Sequence, residues 1–271
     1  MKLKKILLGA AGLLAAVSLA ACRSSSSKDA QASIEKKGKL VVAISPDYAP
    51  FEFKALINGK DTIVGSDVQL AQAIADELGV KLELSSMSFD NVLTSVKTGK
   101  ADMAISGLSY TKERAKVYDF SDAYYETENA FLVRKADLEN YTAVSDFSGK
   151  KVAVLKGAIE ETLAKDQLKK SNITSLTVMG EAVNELKSGQ VDAVNLEKPV
   201  AEGYVVQNSD LAIAKVALKT GEGDAKAVAL PKDSGKLLKT VNKVIAKLKK
   251  EGKYKTYIEE AAQLTDQQVD E

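Results

Sequence analysis

Two halves of this 271-residue chain carry the same short scheme, and that repetition limits the fold more than any single motif. GKLVVAI from Gly38 returns as GKKVAVL from Gly149, and VKTGKADMAISG, ending at Gly107, returns as LKSGQVDAVNLE, ending at Glu197. KLVVAI is a continuous β-rich run of the kind buried on both faces of a parallel sheet. Between such runs lie helical patterns. SDVQLAQAIADELG puts Val68, Ala71, Ile74, Ala75 and Leu78 on one face, with Ser66 as the expected N-cap and Gly79 as terminator. KLELSS then reads as a strand, Asp90 to Gly99 as a short helix and ADMAI as the next strand. This alternation is the sequence form of βαβ units. A glycine that closes a helix before a strand is common, so a single echo carries little. Two echoes in matching order favour two similarly built α/β lobes.

Open α/β sheets bind ligands beyond the carboxyl ends of their strands, and Gly107 and Glu197 stand there on corresponding strands. If the lobes face each other, both positions line one cleft. The bulk numbers agree with a globular chain: 45% apolar, 28% charged, formal charge +1. Lys2, Lys4 and Lys5 supply three positive charges in the first 21 residues, which hold no acid, so +1 becomes −2 for the remainder. No basic nucleic-acid footprint is present.

The N-terminus reads as a targeting segment. MKLKK is a cationic start, and ILLGAAGLLAAVSLA is an apolar run too short for a comfortable bilayer crossing. Its end, LAAC, resembles the lipobox of bacterial lipoproteins, which implies cleavage after Ala21 and a diacylglycerol thioether on Cys22. A plain signal peptide with a coincidental cysteine is the alternative, although Cys22 is the only cysteine and no disulfide competes for it. RSSSSKDAQAS then reads as a flexible tether, so the leader is set at 1–21 and the tether at 22–37.

The densest motif is GLSYTKERAKVYDFSDAYY, residues 107–125. Thr111 is a natural N-cap for a helix beginning KERAKV, and helix starts attract anions. Arg114 adds a permanently charged, bidentate fork suited to a carboxylate. Standing alone, the same arginine is as well explained as a surface partner for Asp119 or Asp122.

It does not stand alone. SPDYAPFEF, MSFDNVL, ISGLSYTKERAKVYDFSDAYY, GKKVAVLKGAIEE and GQVDAVNLEKPVA occur in the order found in the polar amino-acid-binding proteins of ABC importers, and from Gly38 the chain resembles that family throughout. The resemblance implies a type II periplasmic-binding fold: α/β, two lobes, each a mostly parallel sheet flanked by helices, joined by a two-strand hinge. It sets lobe 1 at 38–123 plus 227–271, lobe 2 at 129–221 and the hinge at 124–128 and 222–226. It implies that Arg114 pairs with the ligand's α-carboxylate, with Ser109 and the backbone around Ser106 and Gly107 adding hydrogen bonds. Tyr48 and Phe89 match the aromatic positions that sandwich the ligand side chain, although both also fit as core aromatics. The N–H of Ile159 matches a donor at the helix start after LKGA, and Glu197 matches the acid that receives the α-ammonium. Glu197 also suits a helix N-terminus by the dipole alone.

Two departures bear on specificity. The family commonly has an aspartate where this chain has Ser45, and its second-lobe acid is more often aspartate than the glutamate found at 197. Glu160 stands where relatives often carry glutamine or serine, and a negative group there suits a cationic tail, so arginine or lysine is the expected ligand class. If Glu160 only favours the helix start, glutamine or another polar neutral amino acid stays open. The implied partners are a free amino acid, ABC importer membrane subunits and a membrane reached through the lipid anchor, with the receptor a monomer on the extracytoplasmic face of a single-membrane bacterium.

Other functions fit less well. The chain has no histidine, which excludes the usual Ser-His-Asp triad and the common zinc sites; no cofactor is expected. KTG occurs at Lys97 and Lys219 and S-x-x-K at Ser25 and Ser33, but those serines lie in or beside the tether and S-D-N is missing. A dehydratase on the same fold needs a general acid near the ligand, for which Glu160 is the obvious candidate. A solute sensor would use the same lobes.

Overall fold

The computed structural model describes residues 29–220 and 224–269. The leader, Cys22 and Ser25 therefore lie outside the described residues. Residues 30–37, set out above as the end of the tether, are helical instead. Helix α1 (Ala30–Lys37) starts under an Asp29 cap, whose carboxylate accepts from the Ala32 N–H at 3.1 Å, and ends at Gly38 in the left-handed region. Ile34 is the reason: it is 1% exposed and packs into the core beside Leu40 and Val42, so a segment that reads as polar carries one apolar anchor.

Along the chain the strands are β1 (Lys39–Ile44), β2 (Asp47–Tyr48), β3 (Glu52–Ile57), β4 (Lys60–Val64), β5 (Lys81–Ser86), β6 (Met103–Ala104), β7 (Tyr118–Phe120), β8 (Tyr125–Thr127), β9 (Asn129–Arg134), β10 (Lys151–Leu155), β11 (Asn172–Leu176), β12 (Ala193–Glu197), β13 (Leu211–Ile213), β14 (Asp224–Lys226) and β15 (Ala229–Pro231). They form two five-stranded sheets of the same order, β5-β1-β6-β15-β7 and β11-β10-β12-β9-β13. In each sheet a single strand, β15 or β9, runs against the other four, so both are mostly parallel. β8 and β14 pair antiparallel as a separate ribbon, and β2-β3-β4 make a small antiparallel sheet.

The sequence echoes coincide with equivalent parts of the two sheets. The backbone N–H of Asp102 donates to Val41 O at 2.8 Å, and its carboxylate accepts from Val41 N at 2.7 Å. Asp192 does the same with Lys151, at 2.8 Å in both directions. The repeated aspartate thus staples the start of one parallel strand to its neighbour, satisfying an N–H that no ladder bond reaches.

The remaining helices are α2 (Ser66–Glu77), α3 (Phe89–Lys97), α4 (Lys112–Ala115), α5 (Ile159–Gln167), α6 (Met179–Ser188), α7 (Lys198–Gln207), α8 (Gly235–Lys250) and α9 (Lys253–Gln263). α2 begins at Ser66 itself, with Gly65 at the cap. Gly65 has φ +133°, and a Cβ there would lie 2.1 Å from Phe51 O, so only glycine lets the chain enter this helix. The first sheet is covered by α1, α2, α8 and α9 on one face and α3 on the other. From α8, Leu237, Val241, Val244, Ile245 and Leu248 are buried at helical spacing, and each contributes about 1.5–3 kcal/mol when removed from water. α6 and α7 pack on one face of the second sheet and α5 on the other. No helix among the described residues is long and apolar enough to cross a membrane.

Candidate functional site

The carboxyl ends of β6 and β12 face each other, and the turn that follows β6 carries the first half of the site. Gly107 has φ +50°, and a Cβ would meet the Tyr48 ring at 3.3 Å, so glycine both shapes the turn and lets the aromatic lie against it. The turn hangs on buried acids. The Gly107 N–H donates to Asp67 at 2.7 Å, the Tyr124 and Tyr254 hydroxyls donate to the same carboxylate at 2.8 Å each, and Ser106 Oγ donates to Glu52 at 2.8 Å. Glu52 and Asp67 are both fully buried. Burial, and then the neighbouring Asp67 charge, push the Glu52 carboxyl well above its ordinary range. Burial raises Asp67 as well, against the pull of its hydrogen bonds with Gly107, Tyr254, Tyr124 and Glu52.

Past the turn, Thr111 caps α4 as the sequence predicts, its hydroxyl accepting from Arg114 N at 3.1 Å. Asp119, one of the two acids weighed against the ligand role, is engaged by Lys232 at 3.2 Å and by the Ser234 N–H at 2.9 Å, while Arg114 lines the cleft. The Arg114 guanidinium donates to Ser109 O at 2.5 Å and, across the cleft, to Gly157 O at 2.9 Å.

The second lobe contributes the loop between β10 and α5 and the end of β12. Gly157 has φ +83°, and a Cβ there would lie 3.3 Å from Asp90 Cα in the opposite lobe. Its N–H donates to Glu161 at 2.7 Å, and Glu161 also receives Ser175 Oγ and Lys165 Nζ at 2.6 Å each. Burial alone would raise Glu161, but these three donors outweigh it and hold it below the usual carboxylate range. Further contacts join the lobes: Lys156 to Asp90 at 2.8 Å, Met179 N to Asp47 at 2.8 Å and Glu197 N to Tyr48 Oη at 3.2 Å.

Between these walls lies a narrow cavity of about 10 Å³, lined by Tyr48, Phe89, Gly107, Ser109, Arg114, Leu155, Ala158, Ile159, Glu160 and Glu197. Eight of the ten residues singled out from the sequence therefore share one cavity. Tyr48 and Phe89 line it and pack against core side chains too. Ser45 and Ser106 stand one layer behind: Ser45 N donates to Ser106 Oγ at 3.0 Å, and Ser45 Oγ to Asp47 at 3.1 Å. Glu160 and Glu197 are 1% and 3% exposed, so the cavity wall holds two buried acids opposite one arginine.

The matching features extend over most of the chain. Residues 40–261 match the bacterial extracellular solute-binding proteins, family 3. The chain belongs to that family. The arginine-binding extracellular protein ArtP of Bacillus subtilis is 35% identical over 252 residues, covering 92% of this chain and 94% of ArtP. A crystal structure of an amino acid ABC transporter substrate-binding protein from Streptococcus pneumoniae, bound to L-arginine, superimposes with a TM-score of 0.87 at 56% identity over 89% of this chain and 99% of that one. An ancestral amino-acid-binding protein described as a precursor of cyclohexadienyl dehydratase superimposes with a TM-score of 0.77 at 34% identity, over 85% and 98% of the two chains. The fold is thus the two-lobed α/β one of a solute-binding family.

Three buried charges at the site escape the sequence reading. Glu52 lies in SPDYAPFEF, read only for its family likeness and Tyr48, and Asp67 in a segment read only as a helix. Lys226 ends the expected hinge 222–226, yet it is fully buried and bonds Ser109 and Glu197. The available signal was a charge set directly among apolar residues, as in Phe51-Glu52-Phe53 and Lys226-Ala-Val-Ala-Leu.

Proposed function

We propose that this family-3 protein is the amino-acid receptor of an ABC importer and closes around free L-arginine or a close cationic relative. The observation that carries the reading is the charge arrangement of the cavity: Arg114 on one wall, Glu160 and Glu197 on the other. A zwitterion with a cationic tail presents one anionic and two cationic groups, which is the complement. The α-carboxylate lies on Arg114 and, by the roles expected above, the N–H of Ile159; the α-ammonium lies at Glu197 and Ser109; the guanidinium reaches Glu160 past the Tyr48 and Phe89 rings. The arginine-bound streptococcal relative and the arginine-binding ArtP support the ligand class.

Mechanically, charges on opposite walls are hydrated when the lobes part, and a ligand that bridges them restores what closure removes. Lobe 1 (38–123 with 227–271) and lobe 2 (129–221) then rotate about 124–128 and 222–226, where β8 pairs with β14. Anchoring through Cys22 to the extracytoplasmic face of the cell membrane keeps a monomeric receptor beside its permease.

The test is a thermal-shift panel of the twenty amino acids on the purified protein. The expected result is a strong shift with arginine or lysine, absent in Arg114→Ala. No shift with any amino acid would overturn the receptor reading, and a shift with glutamine alone would overturn the ligand class.

A further inference from the structure

The fully buried Lys226 lies on the ribbon between the lobes, and its contacts divide between them. β14 pairs with β8, with Lys226 opposite Tyr125, and an isolated bridge ties Lys226 to Ser109 of the first lobe. The backbone is further fixed by the Tyr124 N–H donating to Lys226 O at 2.9 Å. The ammonium donates to Ser109 Oγ at 2.7 Å and to the carboxylate of Glu197, at the carboxyl end of β12 in the second lobe. Side-chain exposure is 0% for the lysine and 4% for the glutamate, so water does not screen the pair. Because Lys226 is pinned by backbone and side chain to Ser109, it moves with the first lobe, and its bond to Glu197 is one that lobe separation must break.

We propose that Lys226 is a positioning residue that couples closure of the lobes to the ammonium end of the ligand site, by drawing Glu197 of the second lobe onto Ser109 of the first. The assignment to the ammonium end rests on the proposed amino-acid reading; the coupling of Lys226 to closure does not. Two of the residues assigned to the α-ammonium are thus held together by the protein's own cation. The orientation of Glu197 is set from behind the cavity, since Lys226 is not part of its lining. Removing one partner of a buried pair strands the other charge, whereas replacing both by apolar groups does not. A stranded Glu197 regains water when the lobes open, so loss of Lys226 should open the protein rather than unfold it.

The experiment measures the radius of gyration by small-angle scattering without added ligand, and L-arginine affinity by calorimetry, for wild type, Lys226→Met, Lys226→Gln and the double variant Lys226→Met with Glu197→Leu. The expected result is a larger radius for both single variants, about tenfold weaker arginine binding, and a radius back at the wild-type value in the double variant. The second single variant guards against misfolding of the first. An unchanged radius in both single variants overturns the proposal. So does tighter arginine binding, which would make Lys226 a competitor for Glu197 instead of its support. If wild type binds no amino acid, the receptor reading fails while the scattering comparison still decides whether Lys226 governs closure.

Discussion

The two lobes repeat one scaffold and hold the ligand site in opposite ways. Their sheets share an order, and Asp102 and Asp192 staple equivalent strands with the same pair of hydrogen bonds. At the carboxyl ends the likeness stops. The turn at Gly107 hangs on two fully buried carboxyls and two tyrosine hydroxyls, and burial pushes both carboxyls above their ordinary range. The turn at Gly157 is pinned by Glu161, an ionised acid served by Lys165, Ser175 and the Gly157 N–H. A scaffold can be copied because it needs only apolar runs and one aspartate. The chemistry at each strand end is built separately.

The largest effect should come from removing the first lobe's charge. Arg114→Ala is expected to cost about 2–5 kcal/mol of amino-acid affinity, the range for stranding one partner of a buried charged pair. Calorimetry that returned a near-wild-type Kd would break the assignment of the carboxylate to lobe 1. The second lobe's counterpart is Glu160→Gln, expected to weaken arginine by about 1.5–3 kcal/mol, as for a hydrogen bond to a charged group, while sparing neutral amino acids. Equal losses for arginine and glutamine would show that Glu160 does not read the side chain.

Gly157→Ala sharpens the comparison through geometry. The φ of +83° costs about 1–2 kcal/mol for a residue with a Cβ, and the added atom presses on the Asp90 backbone of the other lobe. Melting temperature should fall by about 2–4 °C per kcal/mol of that strain, and affinity should fall as well, because the lobes no longer meet; a fall in melting temperature with unchanged affinity would contradict this.

The buried acids predict opposite pH behaviour. Glu52 titrates near 4.5 when exposed and well above that when folded, so the folded state binds the proton more tightly. Its contribution is full below the unfolded value and is lost as pH rises toward the folded one. Glu161, held low, contributes above its unfolded value of 4.5 and loses that contribution as pH falls. Glu52→Gln should therefore flatten the decline of melting temperature above about pH 5, and an unchanged slope would show that Glu52 is not the group responsible. The smallest effect is expected from Asp90→Asn. It removes a half-exposed interlobe pair with Lys156 worth about 0.2–1 kcal/mol, and raising salt should erase the difference from wild type.

Much of the scaffold was legible because it is written in periodic patterns. The runs KLVVAI and KKVAVL, the amphipathic helices and the Thr111 cap depend on local chemistry, and each appears where its pattern lies. α1 was missed because one isoleucine in a polar segment leaves no period. The cavity-lining residues were legible through motifs that keep their order along the chain. The buried support was not: Glu52, Asp67 and Lys226 act through partners 15 to 187 residues away, and no local pattern marks a charge whose counterpart is supplied by the fold. Glu161 was overlooked for the opposite reason, since it looks like an ordinary acid in a first helical turn and also performs that role.

The most direct test of opposed gripping is a crystal structure of the protein soaked with L-arginine. The account predicts the α-carboxylate on Arg114, the α-ammonium at Glu197 and the guanidinium at Glu160. A ligand bound in the reverse sense, or touching charged groups of only one lobe, would contradict it.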